Sequence, residues 1–249
     1  MKRFLLIGFL FIVTTTYGQV NIERIRLDHK KETPSTQFVN LNTELQSGNS
    51  SFYSLNLNYR NQFQRDHFHG FLLSKFNYGK RNSDVYTNEQ FAHLRIIGNS
   101  KTSHFNELYM QIESNQFIDL KARYLVGGGV RFRLIHQPSL HVFLGSSLLS
   151  EWLMTGADLP DDHIWRTSHY ISHWAQLSEG NEWVSTVYFQ PAIRDFKEYR
   201  FYLESSFINQ LFDQVSYKTT FLLKYNTVPI GNQQSSDLAL TSGIEWKSL

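Results

Sequence analysis

From Gln37 to the end of the chain, the sequence consists of successive segments in which apolar and polar residues tend to alternate. The alternation is clearest between Val215 and Asn226. There, Val215, Tyr217, Thr219, Phe221, Leu223 and Tyr225 alternate with Ser216, Lys218, Thr220, Leu222, Lys224 and Asn226. Successive side chains of a β-strand point to opposite faces, so this pattern predicts strands with one apolar and one polar face. We therefore expect an all-β chain.

Turn-rich stretches divide this part of the chain into about 12 strands, with 10 or 14 as alternatives. The predicted strands are 37–47, 50–61, 66–79, 88–98, 103–114, 117–135, 139–153, 164–177, 182–192, 197–209, 213–226 and 236–248. Most are about 11 residues long, which is the length that a tilted strand needs to cross a bilayer. These strands predict a single antiparallel transmembrane β-barrel. Amphipathic strands are also typical of soluble sandwiches and lipocalin-like barrels, which turn their apolar face inward.

The first residues have the three parts of a secretory signal peptide. Lys2 and Arg3 are positive, an apolar run follows them, and small residues precede Gln19. The apolar run is about ten residues long, whereas a membrane-spanning helix needs roughly 20. We therefore divide the chain into a signal peptide (1–18), a periplasmic lead-in (19–36) and an outer-membrane β-barrel (37–249).

The composition supports an exported barrel and argues against several other classes. Charged residues make up 18% and aromatic residues 15% of the chain, and aromatic rings are suited to a boundary between apolar and polar surroundings. The absence of cysteine excludes disulfides, thiolate metal sites and a cysteine nucleophile. Taking Lys2 and Arg3 from the 24 basic residues leaves 22, equal to the 22 acidic residues. We therefore expect no nucleic-acid partner.

Charged residues recur on the polar face of the predicted strands. A lysine or arginine facing lipid at the bilayer midplane costs about 2–4 kcal/mol, so these charges are expected in the lumen. The predicted lumenal charge cluster consists of Lys121, Arg123, Arg131, Arg133, Glu151, Arg166, Arg200, Glu204, Lys218, Lys224 and Glu245. It is either a salt-bridge network that fills a closed barrel or the lining of a weakly anion-preferring pore. Glu151 and Arg166 lie near the facing ends of adjacent predicted strands and are expected to pair.

Three further motifs have a structural and a chemical interpretation. His67 and His69 would share one strand face and could bind a metal, but no third ligand is evident. Ser168 and His169 are sequence neighbours on a strand, so their side chains point to opposite faces and do not form a catalytic dyad. The glycines at 127–129 lack the Lys-Ser/Thr of a phosphate loop and predict a bend or bulge instead. We therefore expect no catalytic residues, metal site or cofactor.

The second half of the chain resembles the outer-membrane proteins of the domain-of-unknown-function 481 family. The resemblance rests on the order and spacing of several short segments. These segments are Arg123–Arg133, Leu144–Trp152, Trp165–Ser172, Val187–Pro191, Tyr199-Arg200, and Tyr225–Pro229 with Asp237. The resemblance implies a small outer-membrane barrel and implies no known reaction.

These features together leave three functions open. The first is a narrow or closed barrel with a structural or stress-related role in the envelope. The second is a small anion-preferring pore, and the third is a membrane-embedded lipid hydrolase. The chain is expected in the outer membrane of a bacterial cell and is not expected to be an enzyme. Its expected partners are outer-membrane lipid, the barrel-assembly machinery, and small solutes or ions.

Overall fold

In the part of the chain that the structure describes, twelve antiparallel strands form one sheet, and each strand pairs with its neighbours in the chain. The computed structural model describes residues 35–47, 51–82, 84–98, 103–156, 161–213, 215–230 and 234–246. The strands are β1 (Ser35–Gln46), β2 (Phe52–Gln64), β3 (Phe68–Arg81), β4 (Asp84–Gly98), β5 (His104–Asn115), β6 (Leu120–Gln137), β7 (Leu140–Thr155), β8 (Asp162–Ser178), β9 (Asn181–Pro191), β10 (Tyr199–Phe212), β11 (Val215–Asn226) and β12 (Ser236–Trp246). The all-β class and the strand number are confirmed.

The predicted and observed strands differ mainly at their ends. β1 begins at Ser35, so the last two residues assigned to the lead-in belong to the sheet. The signal peptide and the rest of the lead-in lie outside the described residues. A short 3-10 helix, Gln116–Ile118, links β5 to β6. No helix within the described ranges has the length and apolar character needed to cross a membrane.

The predicted closure of the barrel is not observed. β1 pairs only with β2 and β12 only with β11 within the described chain. The contacts that curl the sheet bring β3 and β4 against β8, β9 and β10. They bury the aromatic cluster, which consists of Phe71, Leu73, Phe91, Tyr170, Tyr188 and Tyr202. The packed side chains thus draw the middle of the sheet together and leave the two edge strands apart.

The curled sheet buries its polar face and exposes its apolar face. On β5, Glu107, Gln111 and Glu113 are buried, whereas Leu108 and Met110 are 65% and 53% exposed. The same division holds on β6 to β8, where buried Arg and Glu residues alternate with exposed Leu, Val, Ile and Trp residues. Soluble proteins bury apolar side chains and rarely bury charges. This sheet has the opposite arrangement, in contrast to a soluble sandwich or lipocalin-like barrel.

The two ends of the sheet carry different connections. We call the end with connections 47–51, 82–83, 116–119, 156–161, 192–198 and 227–235 the loop end. The opposite end, the turn end, has the connections 65–67, 99–103, 138–139, 179–180 and 213–214. The longer connections therefore gather at the loop end. β1 begins and β12 ends at the turn end.

The glycines at 127–129 form neither a bend nor a bulge, contrary to the prediction. Pairing of β6 with both neighbours is regular at these residues, and its register shifts lie between Leu120 and Ala122 and between Arg133 and Ile135. A Cβ on Gly127 would lie 2.5 Å from Cζ of Tyr109. Gly127 is therefore required for space, because it leaves room for a ring from the neighbouring strand.

Candidate functional site

Glu151 on β7 is the centre of a buried charge network. Its side chain is fully buried, and three arginines converge on it. Arg166 Nε donates to Glu151 Oε2 at 2.8 Å, and Arg200 Nη1 donates to Oε1 at 2.5 Å. Arg123 Nε also lies 2.5 Å from Oε1, without the alignment of a hydrogen bond. One carboxylate thus joins β6, β7, β8 and β10 through their inward faces.

Further ion pairs extend this network in both directions. Arg123 Nη1 donates to Glu113 Oε1 on β5 at 2.7 Å. Arg166 Nη2 lies 2.5 Å from Glu198 Oε1, and Glu198 also pairs with Arg194. Arg194 reaches Asp162 at 2.7 Å, and hydrogen bonds from its guanidinium to Asp162 and Glu198 raise the pKa of Arg194. The charge network therefore comprises Glu113, Arg123, Glu151, Asp162, Arg166, Arg194, Glu198 and Arg200, and it lies toward the loop end.

A second ion pair lies deeper in the interior. Arg95 Nη1 on β4 donates to Glu107 Oε2 on β5 at 2.9 Å, and both side chains are buried. Tyr170 OH donates to the same oxygen at 2.8 Å from β8, across the interior. Arg131, which is fully buried, donates to Tyr170 OH at 3.3 Å and stacks over Phe143 at 3.6 Å. The charged groups of Arg95, Glu107 and Arg131 thus contact aromatic side chains next to the aromatic cluster.

The structure brings together four residues of the predicted cluster, namely Arg123, Glu151, Arg166 and Arg200. Arg131 donates a hydrogen bond to Tyr170 next to the second ion pair, while Arg133 is half-buried and lies over the ring of Phe105. Glu204 accepts a hydrogen bond from Tyr202 at 2.7 Å. Lys218 is buried, and Lys224 lines the cavity described below. The side chain of Glu245 lies outside the described residues.

Lys121 does not join the cluster, because it is exposed. The bulge between Leu120 and Ala122 explains the difference. Leu120 and Arg123 both point to the interior although they are three positions apart, and this is possible when a bulge inserts an extra residue. Strict alternation counted back from Arg123 therefore assigns Lys121 to the wrong face of the sheet.

Sequence reasoning missed several members of these networks. Arg95, Glu107 and Glu113 lie on inward faces of β4 and β5, and the alternation that identified Arg123 would also have identified them. Glu198 lies in the connection before β10, where no periodic pattern indicates orientation. Its role becomes visible only through its contacts with Arg166 and Arg194.

The interior narrows at the aromatic cluster. Tyr170 and Tyr188 pack with ring centroids 5.1 Å apart, and Tyr188 and Tyr202 pack edge to face at 6.1 Å. Phe71 and Phe91 reach the same cluster from β3 and β4. Side chains from opposite parts of the sheet therefore meet across the middle of the interior.

A cavity of about 320 Å³ lies between this cluster and the loop end, and we call it the loop-end cavity. Its charged lining residues are Glu89, Glu113, Arg123, Arg200, Lys224 and Asp237. Its apolar walls include Ile118, Leu120, Tyr202, Pro229 and Ile230. The cavity is thus charged on some sides and apolar on others.

The structure does not bring together the two residues of either remaining motif, His67 with His69 or Ser168 with His169. β3 begins at Phe68, so His67 precedes the strand and does not share a strand face with His69. No group of three potential metal ligands occurs in the part of the chain that the structure describes. Ser168 is buried while His169 is exposed, as the alternation predicts. His169 Nδ1 instead lies 3.1 Å from Ser146 Oγ, on the apolar outer face.

Three comparisons place the chain among known proteins. The model of a family described as "Protein of unknown function, DUF481" matches residues 39–247. No curated protein matches the chain. Among solved structures, the fold is similar to a bacterial polysaccharide outer membrane secretin, with a TM-score of 0.51 and 10% sequence identity. That match covers 86% of this chain and 81% of the other, and at this identity it is a likeness of fold alone.

Proposed function

We propose that this chain, which belongs to the DUF481 family of proteins of unknown function, is a bacterial outer-membrane β-barrel with a narrow or closed, charge-braced interior and a structural or stress-related role in the envelope. The two edge strands would pair to close the barrel in the membrane. A closed barrel has no unpaired edge, and a strand edge in lipid would leave backbone groups unsatisfied.

The observation that carries this proposal is the burial of charge and the exposure of apolar side chains. Arg131, Glu151 and Arg166 are almost fully buried, while Leu108, Met110, Val126, Ile171 and others lie on the outer surface. In water, this arrangement would expose a large apolar surface, whereas a bilayer would cover it. The outward apolar and inward polar alternation is typical of membrane barrels.

The sheet geometry supports the same location. The strands are 11 to 18 residues long, and about 9–11 residues suffice to cross a bilayer at a tilt. Outer-membrane barrels have short periplasmic turns and longer extracellular loops. The loop end would therefore face outward and the turn end the periplasm. The likeness in fold to an outer membrane secretin is consistent with an outer-membrane location.

The aromatic cluster favours a narrow or closed barrel over an open pore. It brings together rings from β3 and β4 with rings from β8 to β10 in the middle of the interior. The charge network joins the inward faces of β5, β6, β7, β8 and β10 with direct ion pairs. Ions would have to displace these contacts to pass. Lipid and the assembly machinery are the proposed partners, and no enzymatic role is proposed.

Refolding into lipid vesicles tests the membrane assignment. We expect heat-modifiable migration on a gel and a β-type circular dichroism spectrum. A helical spectrum, or a folded protein that stays soluble without lipid or detergent, would contradict the proposal.

Conductance in a planar bilayer tests the closed interior. The wild-type protein should show no discrete channels, whereas Tyr170→Ala with Tyr188→Ala should open a small conductance. Trp165→Ala, which removes an exposed ring from the outer face, is the matched control and should not. Steady anion-selective channels in the wild-type protein would favour the pore instead.

A further inference from the structure

Lys224 places a buried ammonium group beside the loop-end cavity. Its Nζ atom is inaccessible to solvent and makes no hydrogen bond to any described residue. Asp237 is its register partner on β12, but no ion pair joins the two side chains in the described chain. A buried charge without a partner is costly, so such groups are normally paired.

Two of the three carboxylates that line the cavity already have other donors, and the third, Asp237, is exposed. Glu113 binds Arg123 at 2.7 Å and Gln111 at 3.0 Å. Glu89 accepts hydrogen bonds from Asn77 at 3.2 Å and from Asn115 at 3.0 Å. The ammonium of Lys224 is therefore the polar group of this cavity that most needs a partner, and the partner it needs is an anion.

The other residues that line the cavity indicate the chemical character of the uncharged part of the ligand. Ile118, Leu120, Pro229 and Ile230 form apolar walls near the loop end, and Tyr202 adds a ring. A volume of about 320 Å³ falls at the lower end of the range for small-molecule sites, roughly 300–1,000 Å³. An apolar wall beside one ammonium matches a molecule with an apolar body and one acid group.

The charge of the surroundings limits the ligand to a single negative charge. Arg123 and Arg200 are engaged by Glu151, while Glu89, Glu113 and Asp237 also line the cavity. A dianion such as phosphate would be repelled by these three carboxylates and would find, among the described lining residues, only one cation without a partner. A monocarboxylate would not need a second cation.

We propose that the loop-end cavity binds a small organic monocarboxylate, with its apolar body against Ile118, Leu120 and Ile230 and its carboxylate on Lys224 Nζ, which the flexible lysine side chain turns toward the cavity on binding. This assignment goes beyond the proposed function, because a closed envelope barrel needs no ligand. Pro229, Ile230, Gln234 and Ser235 of the connection between β11 and β12 line the cavity, so the ligand would enter from the loop end.

Calorimetry on the full chain in lipid nanodiscs tests the assignment, with hexanoate as the probe. We expect saturable binding of hexanoate and at least about tenfold weaker binding of hexanol and hexylammonium, which share its chain but lack the negative charge. Lys224→Met should weaken hexanoate binding by at least about tenfold, whereas Lys224→Arg should retain most of it. Lys121→Met is the matched control, because Lys121 is exposed, and it should bind as the wild type does.

Several outcomes would overturn the assignment. One is equal hexanoate binding by the wild type and Lys224→Met, and another is equal binding of hexanol. Tighter binding of 6-aminohexanoate would indicate a zwitterion site, and saturable binding of inorganic phosphate would indicate a phosphate site. If Lys224→Met does not fold, Pro229→Glu at the rim should weaken hexanoate binding by repulsion, and unchanged binding would refute the proposal.

The same samples separate this inference from the proposed function. Heat-modifiable insertion without hexanoate binding would refute only the ligand site. A chain that folds in water and still binds hexanoate through Lys224 would refute only the membrane assignment.

Discussion

Glu151 should be far less tolerant of substitution than any one of the arginines around it. Three guanidinium groups converge on its carboxylate, from Arg123, Arg166 and Arg200. Each of these arginines contributes only one part of that arrangement. We predict that Glu151→Gln destabilises the protein more than Arg166→Met, although both changes remove the same ion pair.

The magnitudes follow from the partners that remain. After Glu151→Gln, Arg123 keeps Glu113 and Arg166 keeps Glu198, but Arg200 loses its only ion pair within the described residues. Removing one partner of a buried pair costs about 3–5 kcal/mol, because the other charge stays buried. After Arg166→Met, Glu151 keeps two arginines and Glu198 keeps Arg194. The cost should then fall to about 1–3 kcal/mol, the range for a buried polar group that loses one partner.

Urea unfolding in lipid vesicles, followed by tryptophan fluorescence, measures both free energies and that of the double variant. Because the two residues touch, the double variant should cost less than the sum of the single ones. Arg194→Gln is the control, since Arg194 is 52% exposed and Glu198 keeps Arg166 when Arg194 is replaced, so its ion pairs should contribute less than about 1 kcal/mol. Additivity within about 0.5 kcal/mol, or a larger cost for Arg166→Met, would refute the central role of Glu151.

Two further pairs of substitutions probe the outer and inner faces of the sheet. Met110→Arg, at the centre of β5 on the exposed face, should cost about 2–4 kcal/mol in vesicles, whereas Leu45→Arg near the end of β1 should cost about 0–1 kcal/mol. Equal unfolding free energies for these two variants would contradict a lipid-facing surface. Gly145→Ala would place a Cβ against the ring of Tyr170, while a Cβ on Gly243 has nothing within 4 Å. The first change should lower the unfolding free energy by about 1–3 kcal/mol and the second by less than about 0.5 kcal/mol; an equal loss would show that the Gly145–Tyr170 contact is not made.

Much of the sheet and half of the charge network could be predicted from the sequence. A period of two assigns every residue of a regular strand to one face, so the sequence alone places Arg123, Glu151, Arg166 and Arg200 together on the inward face. The pairing of Glu151 with Arg166 followed from their positions near the ends of consecutive strands, and the distance of 2.8 Å confirms that they meet.

The parts that could not be predicted depend on irregular or distant contacts. A bulge changes the face on which the residues beside it lie, and the alternation of the sequence does not indicate that Lys121 is exposed. Glu198 lies in a connection, where the chain has no period. The aromatic cluster joins Phe71 to Tyr170 and Tyr202 across many strands, and a local pattern does not specify such long-range packing. Amphipathic strands also do not indicate which face is inside, and that question was answered by the buried charges.

The uneven packing of the interior predicts where the barrel opens first. The charge network and the aromatic cluster fix β3 to β10, whereas Asp237 and Thr241 on the inward face of β12 are exposed. Backbone pairing would then be the main contribution to closure at the β1–β12 seam. Segments with few buried contacts open at lower free energy than the packed core. Amide hydrogen exchange in nanodiscs should therefore be faster in β1 and β12 than in β6 to β8. Equal protection across all 12 strands would mean that the seam is held as tightly as the network, contrary to this argument.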